Sequence, residues 1–153
     1  MLTKFALLTC VLTSTSTIAL ASDALVTKTN SSGFIIPIFG RDESCKIYRD
    51  KVVIERRFGI VDDNGFSTTE TLNFSVSSGI DAVLAKASQA EIKQTPNTIC
   101  DMPSTVISAQ PKNDDVPFVL YRTGACGIPT VYREGPAAKM LIDLVNHYCE
   151  LTH

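Results

Sequence analysis

Alternation of apolar and polar residues predicts a β-hairpin in the first half of the chain. Residues 51–61 alternate as a strand with one buried face requires. The Asn-Gly pair that follows favours the positive φ angles of a tight turn, and residues 66–77 return with a second apolar set. A two-residue turn would place the two apolar sets on opposite faces. We therefore predict a bulge near Gly59 that pairs Phe58 with Leu72.

A second hairpin is predicted further along the chain. Residues 104–110 and 117–123 have the pattern of strands, and a run of turn-forming residues separates them. Its apolar face would come from two cross-strand pairs, Ile107 with Leu120 and Ala109 with Phe118. A short apolar run at 34–39 contains a proline, which predicts an edge strand or an extended segment.

Two helices are predicted from apolar residues at helical spacing. The first spans about 78–94, with Ser78 as its N-cap. The second spans about 136–150, because Pro136 suits the first turn of a helix. Strands joined by hairpins before each helix predict an α+β fold, a largely antiparallel sheet of about 4–6 strands packed by two helices.

The first 21 residues have the three parts of a secretory signal peptide. A single charge, Lys4, precedes a short apolar core, and small residues favour cleavage between Ala21 and Ser22. Because this core is far shorter than the roughly 20 residues that span a bilayer, it does not predict a permanent anchor. The sequence has no other long apolar run, so we expect no membrane span in the mature chain. A lipid anchor at Cys10 is the alternative, although Thr9 stands where lipoprotein signals have a small residue.

Removal of residues 1–21 would leave 132 residues, which fit one domain. The polar residues 22–33 are predicted to be a flexible lead-in, and 34–153 to form a single α+β domain. Without the leader the chain has 13 Lys and Arg against 16 Asp and Glu, a net charge of −3. This balance argues against a nucleic-acid partner. The expected location is extracellular or periplasmic.

The cysteines predict a disulfide framework. Four of the five lie outside the leader, and an even number in an exported chain favours two bridges. Continuation of the second hairpin beyond its strand ends brings Cys100 beside Cys126, which leaves Cys45 to pair with Cys149. The spacing lacks CxxC and CxH pairs, so we predict no metal site.

Catalytic signals are sparse in this sequence. His147 is the one serious imidazole candidate, and as a general base it would need a nucleophile and an orienting carboxylate. No cofactor motif is visible, so we expect no cofactor. These observations favour a non-catalytic domain. A small exported hydrolase that uses carboxylates or His147 is one alternative, and a structural envelope component is another.

The Gly- and Pro-rich segment around Cys126 is the candidate binding loop, because long loops on a rigid scaffold often carry binding function. Its binding patch would consist of Ile128, Val131, Tyr132 and Arg133. We therefore expect a protein- or peptide-binding, inhibitor-like module with a partner of unknown identity. The alternative is a structural connector in which Val131 and Tyr132 add a short strand to the sheet.

Overall fold

The computed structural model describes residues 24–32, 40–59, 66–99, 103–111, 116–124 and 127–150. They form eight strands and two helices: β1 (Val26–Ser31), β2 (Arg41–Ile47), β3 (Lys51–Phe58), β4 (Phe66–Asn73), α1 (Ile80–Ser88), β5 (Glu91–Thr95), β6 (Ser104–Ala109), β7 (Phe118–Arg122), β8 (Thr130–Glu134) and α2 (Pro136–Glu150). The α+β class is confirmed. The predicted leader with its Ala21/Ser22 cleavage site and Cys10, the apolar run 34–39, and the Cys100–Cys126 pair lie outside the described residues.

All eight strands belong to one antiparallel sheet with the order β4-β3-β2-β1-β6-β7-β8-β5. Successive strands β1 to β4 form one half as a meander, and β6 to β8 form the other, with β5 at the far edge. Helix α2 crosses the sheet and contacts β8, β7, β1 and β2, while α1 packs beside it. Both helices join the strands in one apolar core.

The sheet is larger than the predicted 4–6 strands, and the predicted lead-in is wrong where it overlaps β1. Val26–Ser31 is a central strand, paired with β2 on one side and β6 on the other. Its inward side chains are Val26, Lys28 and Asn30, so only one of three is apolar. The polar character that suggests a lead-in belongs to a strand that is held by its neighbours, and the domain begins before residue 34.

The first helix is shorter than predicted, whereas the second has the predicted bounds. Helix α1 ends at Ser88, and β5 occupies the place of the last predicted turns. Gly79 precedes α1 without a side-chain cap, so the predicted Ser78 cap is wrong. A tertiary contact explains the early end, because the Arg133 guanidinium donates to the carbonyls of Ser88 and Ala90 at 2.7 and 2.9 Å.

The two hairpin registers were predicted with mixed success. In the first hairpin Phe58 lies opposite Phe66 instead of Leu72, and the paired residues contain no bulge. The longer connection keeps both apolar sets on one face and makes the predicted bulge unnecessary. In the second hairpin the Ala109–Phe118 pair is confirmed. A register shift then sets Ile107 opposite Tyr121, which corrects the predicted pairing with Leu120.

Candidate functional site

The register of the sheet arranges inward side chains in rows that run across the strands. The apolar row is Ala109, Val26, Ile47, Val52 and Leu72. The middle row is Ile107, Lys28, Cys45, Ile54 and Glu70. The polar row is Thr105, Asn30, Glu43, Arg56 and Thr68. The sheet face that carries the helices therefore changes from apolar to polar within four residues of each strand.

Lys28 lies at the boundary between the apolar and the polar rows. Among the described residues it is the one charged residue that is buried. Its exposed fraction is 8%. The ammonium donates to Asn146 Oδ1 at 2.9 Å and approaches Glu150 Oε1 at 3.5 Å, both on the last turns of α2. Since a buried charge is costly without partners, these two contacts explain how β1 tolerates a lysine that points inward.

A cavity of about 460 Å³ opens beside the Lys28 side chain. We call it the Lys28 groove, and its lining residues are Lys28, Asn30, Pro103, Thr105, Ile107, Tyr121, Ile142 and Asn146. It lies between α2 and strands β1, β6 and β7. Its volume falls in the range of about 300–1,000 Å³ that is usual for ligand sites.

Several polar groups of the groove retain hydrogen-bonding capacity. An ammonium has three donors, and Lys28 has two acceptors within reach. The Asn146 side chain accepts from Lys28, but among the described residues its amide nitrogen donates to none. The Tyr121 hydroxyl likewise has no hydrogen bond to another described residue. The groove thus combines an apolar wall with three kinds of available donor.

A second cavity of about 260 Å³ adjoins the groove on the side of β2. The two cavities share Asn30 and Pro103, and Arg41 and Glu43 line the second one. Glu43 is already engaged, because it accepts from Arg56 Nε at 2.9 Å and from Asn30 Nδ2 at 3.4 Å. The available donors therefore lie in the Lys28 groove and not in the adjoining cavity.

The opposite face of the sheet has a cavity of about 310 Å³ with different surroundings. Thr29, Ser44, Glu55 and Arg57 are among its lining residues, and none of the lining residues is buried. This face has the Ser, Thr and charged side chains of a solvated sheet surface. We therefore place the candidate site at the Lys28 groove.

The predicted Cys45–Cys149 disulfide is confirmed and ties the last turn of α2, near the partners of Lys28, to the sheet. It joins β2 to the last turn of α2 across a sequence separation of 104 residues. Both cysteines are buried, and Cys45 is the cross-strand neighbour of Lys28. Asn146 and Glu150 flank Cys149 on the helix, so the bridge holds the partners of Lys28 in place.

Three of the four residues of the predicted binding patch lie in a strand of the sheet. Val131, Tyr132 and Arg133 belong to β8, which lies between β7 and β5. Arg133 is turned inward, where it donates to the carbonyl of Val119 at 3.0 Å in addition to its bonds at the end of α1. Ile128, which is half exposed, precedes the strand. A binding role for these residues remains a prediction, and the alternative of a short added strand matches β8.

Gly124 shows that the segment before β8 is tightly packed. A Cβ atom at this position would collide with the backbone of Ile128, Pro129 and Thr130. The Gly124 N–H donates to Thr130 Oγ1 at 2.9 Å, and its carbonyl accepts from Asn97 at 2.8 Å. The described part of this segment is therefore held in place by close backbone packing and by these two hydrogen bonds.

His147 lies on the exposed side of α2. Its ring contacts Tyr148 at a centroid distance of 5.0 Å, and among the described residues it has no hydrogen bond to a carboxylate or a hydroxyl. Within the same residues no three His, Cys, Asp or Glu side chains are grouped as metal ligands. None of the described helices is long and apolar enough to cross a membrane.

Sequence reasoning missed Lys28 and Asn146. The alternation of Val26, Lys28 and Asn30 with two threonines was a usable signal, because threonine and valine favour strands. Because Lys28 is charged, the inward positions of this segment do not form the apolar set that marks a half-buried strand. Asn146 gave none, because an asparagine on a helix is usually solvated.

Comparison of the chain with protein-family models, with curated proteins and with solved structures found no match.

Proposed function

We propose that this chain is a non-catalytic exported domain that binds a peptide segment of a partner in the Lys28 groove. One observation carries the proposal: a lysine that is nine-tenths buried lines a cavity of ligand size together with hydrogen-bonding groups that lack a partner within the described chain. A concave, mostly apolar site with a few convergent polar groups is the usual form of a binding site.

The position of the two adjoining cavities favours an extended ligand. Their lining residues come from β7, β6, β1 and β2. Since neighbouring strands are about 4.8 Å apart, these four strands span about 14 Å, so a peptide that occupies both cavities extends over about four residues. A hydrolase that uses His147 has less support, because that side chain is exposed on α2 and makes no hydrogen bond to a carboxylate or a hydroxyl among the described residues.

The disulfide supports the exported location. Buried cystines form and persist in oxidising compartments, so the Cys45–Cys149 bridge is consistent with an extracellular or periplasmic protein. Cleavage after Ala21 remains part of the proposal. N-terminal sequencing of the protein recovered from its own cells would test this part, and an intact residue 1 would contradict it.

A randomised hexapeptide library captured on the immobilised protein tests the binding function. Peptides that are retained should shift the backbone amide NMR signals of Lys28, Thr105 and Asn146. Tyr121→Phe removes one hydroxyl from the groove and should weaken binding about fivefold. Tyr132→Phe is the matched control, because Tyr132 is the cross-strand neighbour of Tyr121 on β8 and does not line the groove.

Two outcomes would contradict the proposal. The first is a library from which no peptide is retained. The second is binding that is weakened by Tyr132→Phe but not by Tyr121→Phe, with signals that shift at residues 128–133. That result would place the site on the predicted binding patch instead of the groove.

A further inference from the structure

The ammonium of Lys28 is held unequally by its two partners on α2. The contact with Asn146 Oδ1 is short, at 2.9 Å, whereas Glu150 Oε1 is 3.5 Å away, at the limit of a hydrogen bond. The Glu150 side chain is 63% exposed, so most of this carboxylate stays in water. Ion pairs with an exposed partner are weak, which makes the Glu150 contact easy to displace.

The groups that line the groove and retain hydrogen-bonding capacity can all act as donors. The Lys28 ammonium, the Asn146 amide nitrogen and the Tyr121 hydroxyl can all donate to a ligand oxygen. Among the residues that the structure describes, no carboxylate lines the Lys28 groove itself. A ligand that brings an anionic oxygen therefore satisfies more of these groups than a neutral or cationic ligand would.

We infer that the Lys28 groove binds a carboxylate, and that Glu150 is an internal competitor which occupies the ammonium until the ligand arrives. This inference rests on the proposed peptide-binding function and adds the chemical class of the bound group. The carboxylate comes either from an acidic side chain or from the C-terminus of a peptide. Displacement by the ligand leaves Glu150 solvated, which costs little because it is already mostly exposed.

Two pairs of small probes separate charge from shape and distinguish the sources of the carboxylate. N-acetylglutamate α-amide and N-acetylglutamine α-amide differ in the side-chain carboxylate. N-acetylalanine and its amide differ in the terminal carboxylate. In NMR titrations of the protein, the charged member of at least one pair should bind about tenfold more tightly than its neutral partner, through shifts at Lys28 and Asn146. The pair that shows the difference identifies the source.

Two charge-removing variants on the same helix test the competitor role. Glu150→Gln removes the competing carboxylate and should tighten binding of the charged probe about threefold. Asp143→Asn is the matched control, because it removes an exposed carboxylate that pairs with Lys139 at 2.9 Å, away from Lys28. It should leave the affinity unchanged. Lys28→Met should abolish the preference for the charged probe.

Equal binding of charged and neutral probes would overturn the carboxylate inference. Equal tightening by Glu150→Gln and Asp143→Asn would overturn the competitor role, because it would report only the overall charge of α2. Neither result removes the proposed function if uncharged library peptides still shift the signals of the groove. Glu150→Gln changes an exposed side chain, so the test stands even if Lys28→Met does not fold.

Discussion

The two ends of the helix-covered sheet face are built from the same strands and have opposite chemistry. At one end Val26, Ile47 and Val52 are fully buried and lie side by side. Four residues away on the same strands, Asn30, Glu43 and Arg56 form a hydrogen-bonded line. Lys28 and the disulfide lie between them. The boundary lies beneath the last described turns of α2, where Asn146 and Glu150 contact Lys28.

The early and the last turns of α2 make different kinds of contact with the sheet. Its early turns bury Ala138, Leu141 and Val145 in the core. Its last turns provide Cys149 for the disulfide and Asn146 for Lys28. A single helix thus serves the apolar end through packing and the polar end through directed contacts. Substitutions at the two ends should therefore lower the free energy of unfolding for different reasons, through lost packing at one end and through lost directed contacts at the other.

Removal of the disulfide should have the largest effect, because it joins the two ends. The double substitution Cys45→Ala with Cys149→Ala opens a loop of 104 residues. In the chain-entropy model such a link contributes about 5 kcal/mol to the free energy of unfolding. Urea denaturation followed by circular dichroism measures this loss. A loss below about 1 kcal/mol would show that packing alone holds the last turn of α2.

Truncation of a buried side chain at the apolar end should lower the free energy of unfolding slightly less than loss of the disulfide does. Leu141 is fully buried on α2, so Leu141→Ala should lower the free energy of unfolding by about 3 kcal/mol through lost burial and the cavity left behind. Met140→Ala is the matched control on the next residue, which is 57% exposed, and should change stability by less than about 0.5 kcal/mol. Similar losses from both variants would contradict the assignment of the buried side of α2.

At the polar boundary the loss in the free energy of unfolding should depend on whether Asn146 or Lys28 is replaced. Asn146→Leu leaves the buried Lys28 ammonium without its closest acceptor and should cost about 2 kcal/mol. Lys28→Met replaces the charge by an apolar chain of similar length and should change stability by less than about 1 kcal/mol. In the Lys28→Met background Asn146→Leu should cost almost nothing. A full cost there would show that Asn146 stabilises the fold independently of Lys28.

The sequence predicted the apolar end far better than the polar end. The hairpin of β3 and β4, the pair Ala109–Phe118, helix α2 and the Cys45–Cys149 bridge all follow from apolar periodicity, turn residues or cysteine count. Strand β1 was missed because its inward positions include Lys28 and Asn30. Lys28 is tolerated there because Asn146, on the distant helix α2, accepts from its ammonium, and the sequence of β1 does not show that contact. The early end of α1 has a similar cause, because Arg133 comes from a distant strand.

The smallest predicted effect concerns Lys93 at the far edge of the sheet, away from both ends. Its ammonium donates to Glu91 at 2.7 Å and lies 3.5 Å from Glu134. The hydrogen bond and the charge of Glu91, followed by those of Glu134, raise the pKa of Lys93 above its usual value. The folded state binds the Lys93 proton more tightly than the unfolded state does. Protonation of Lys93 therefore stabilises the fold at neutral pH. This stabilisation is lost as the pH rises above about 10.

Glu91→Gln should therefore lower the pKa of Lys93 more than Glu134→Gln does, because Glu91 makes the shorter contact and the larger contribution. An NMR titration of the Lys93 side chain in each variant measures the two pKa values. At this edge the partners of the lysine are carboxylates on exposed strands, so removal of either should leave the fold intact. This contrasts with Lys28, whose partner is needed to keep a charge buried. A larger change from Glu134→Gln would show that β8 rather than β5 positions the Lys93 ammonium.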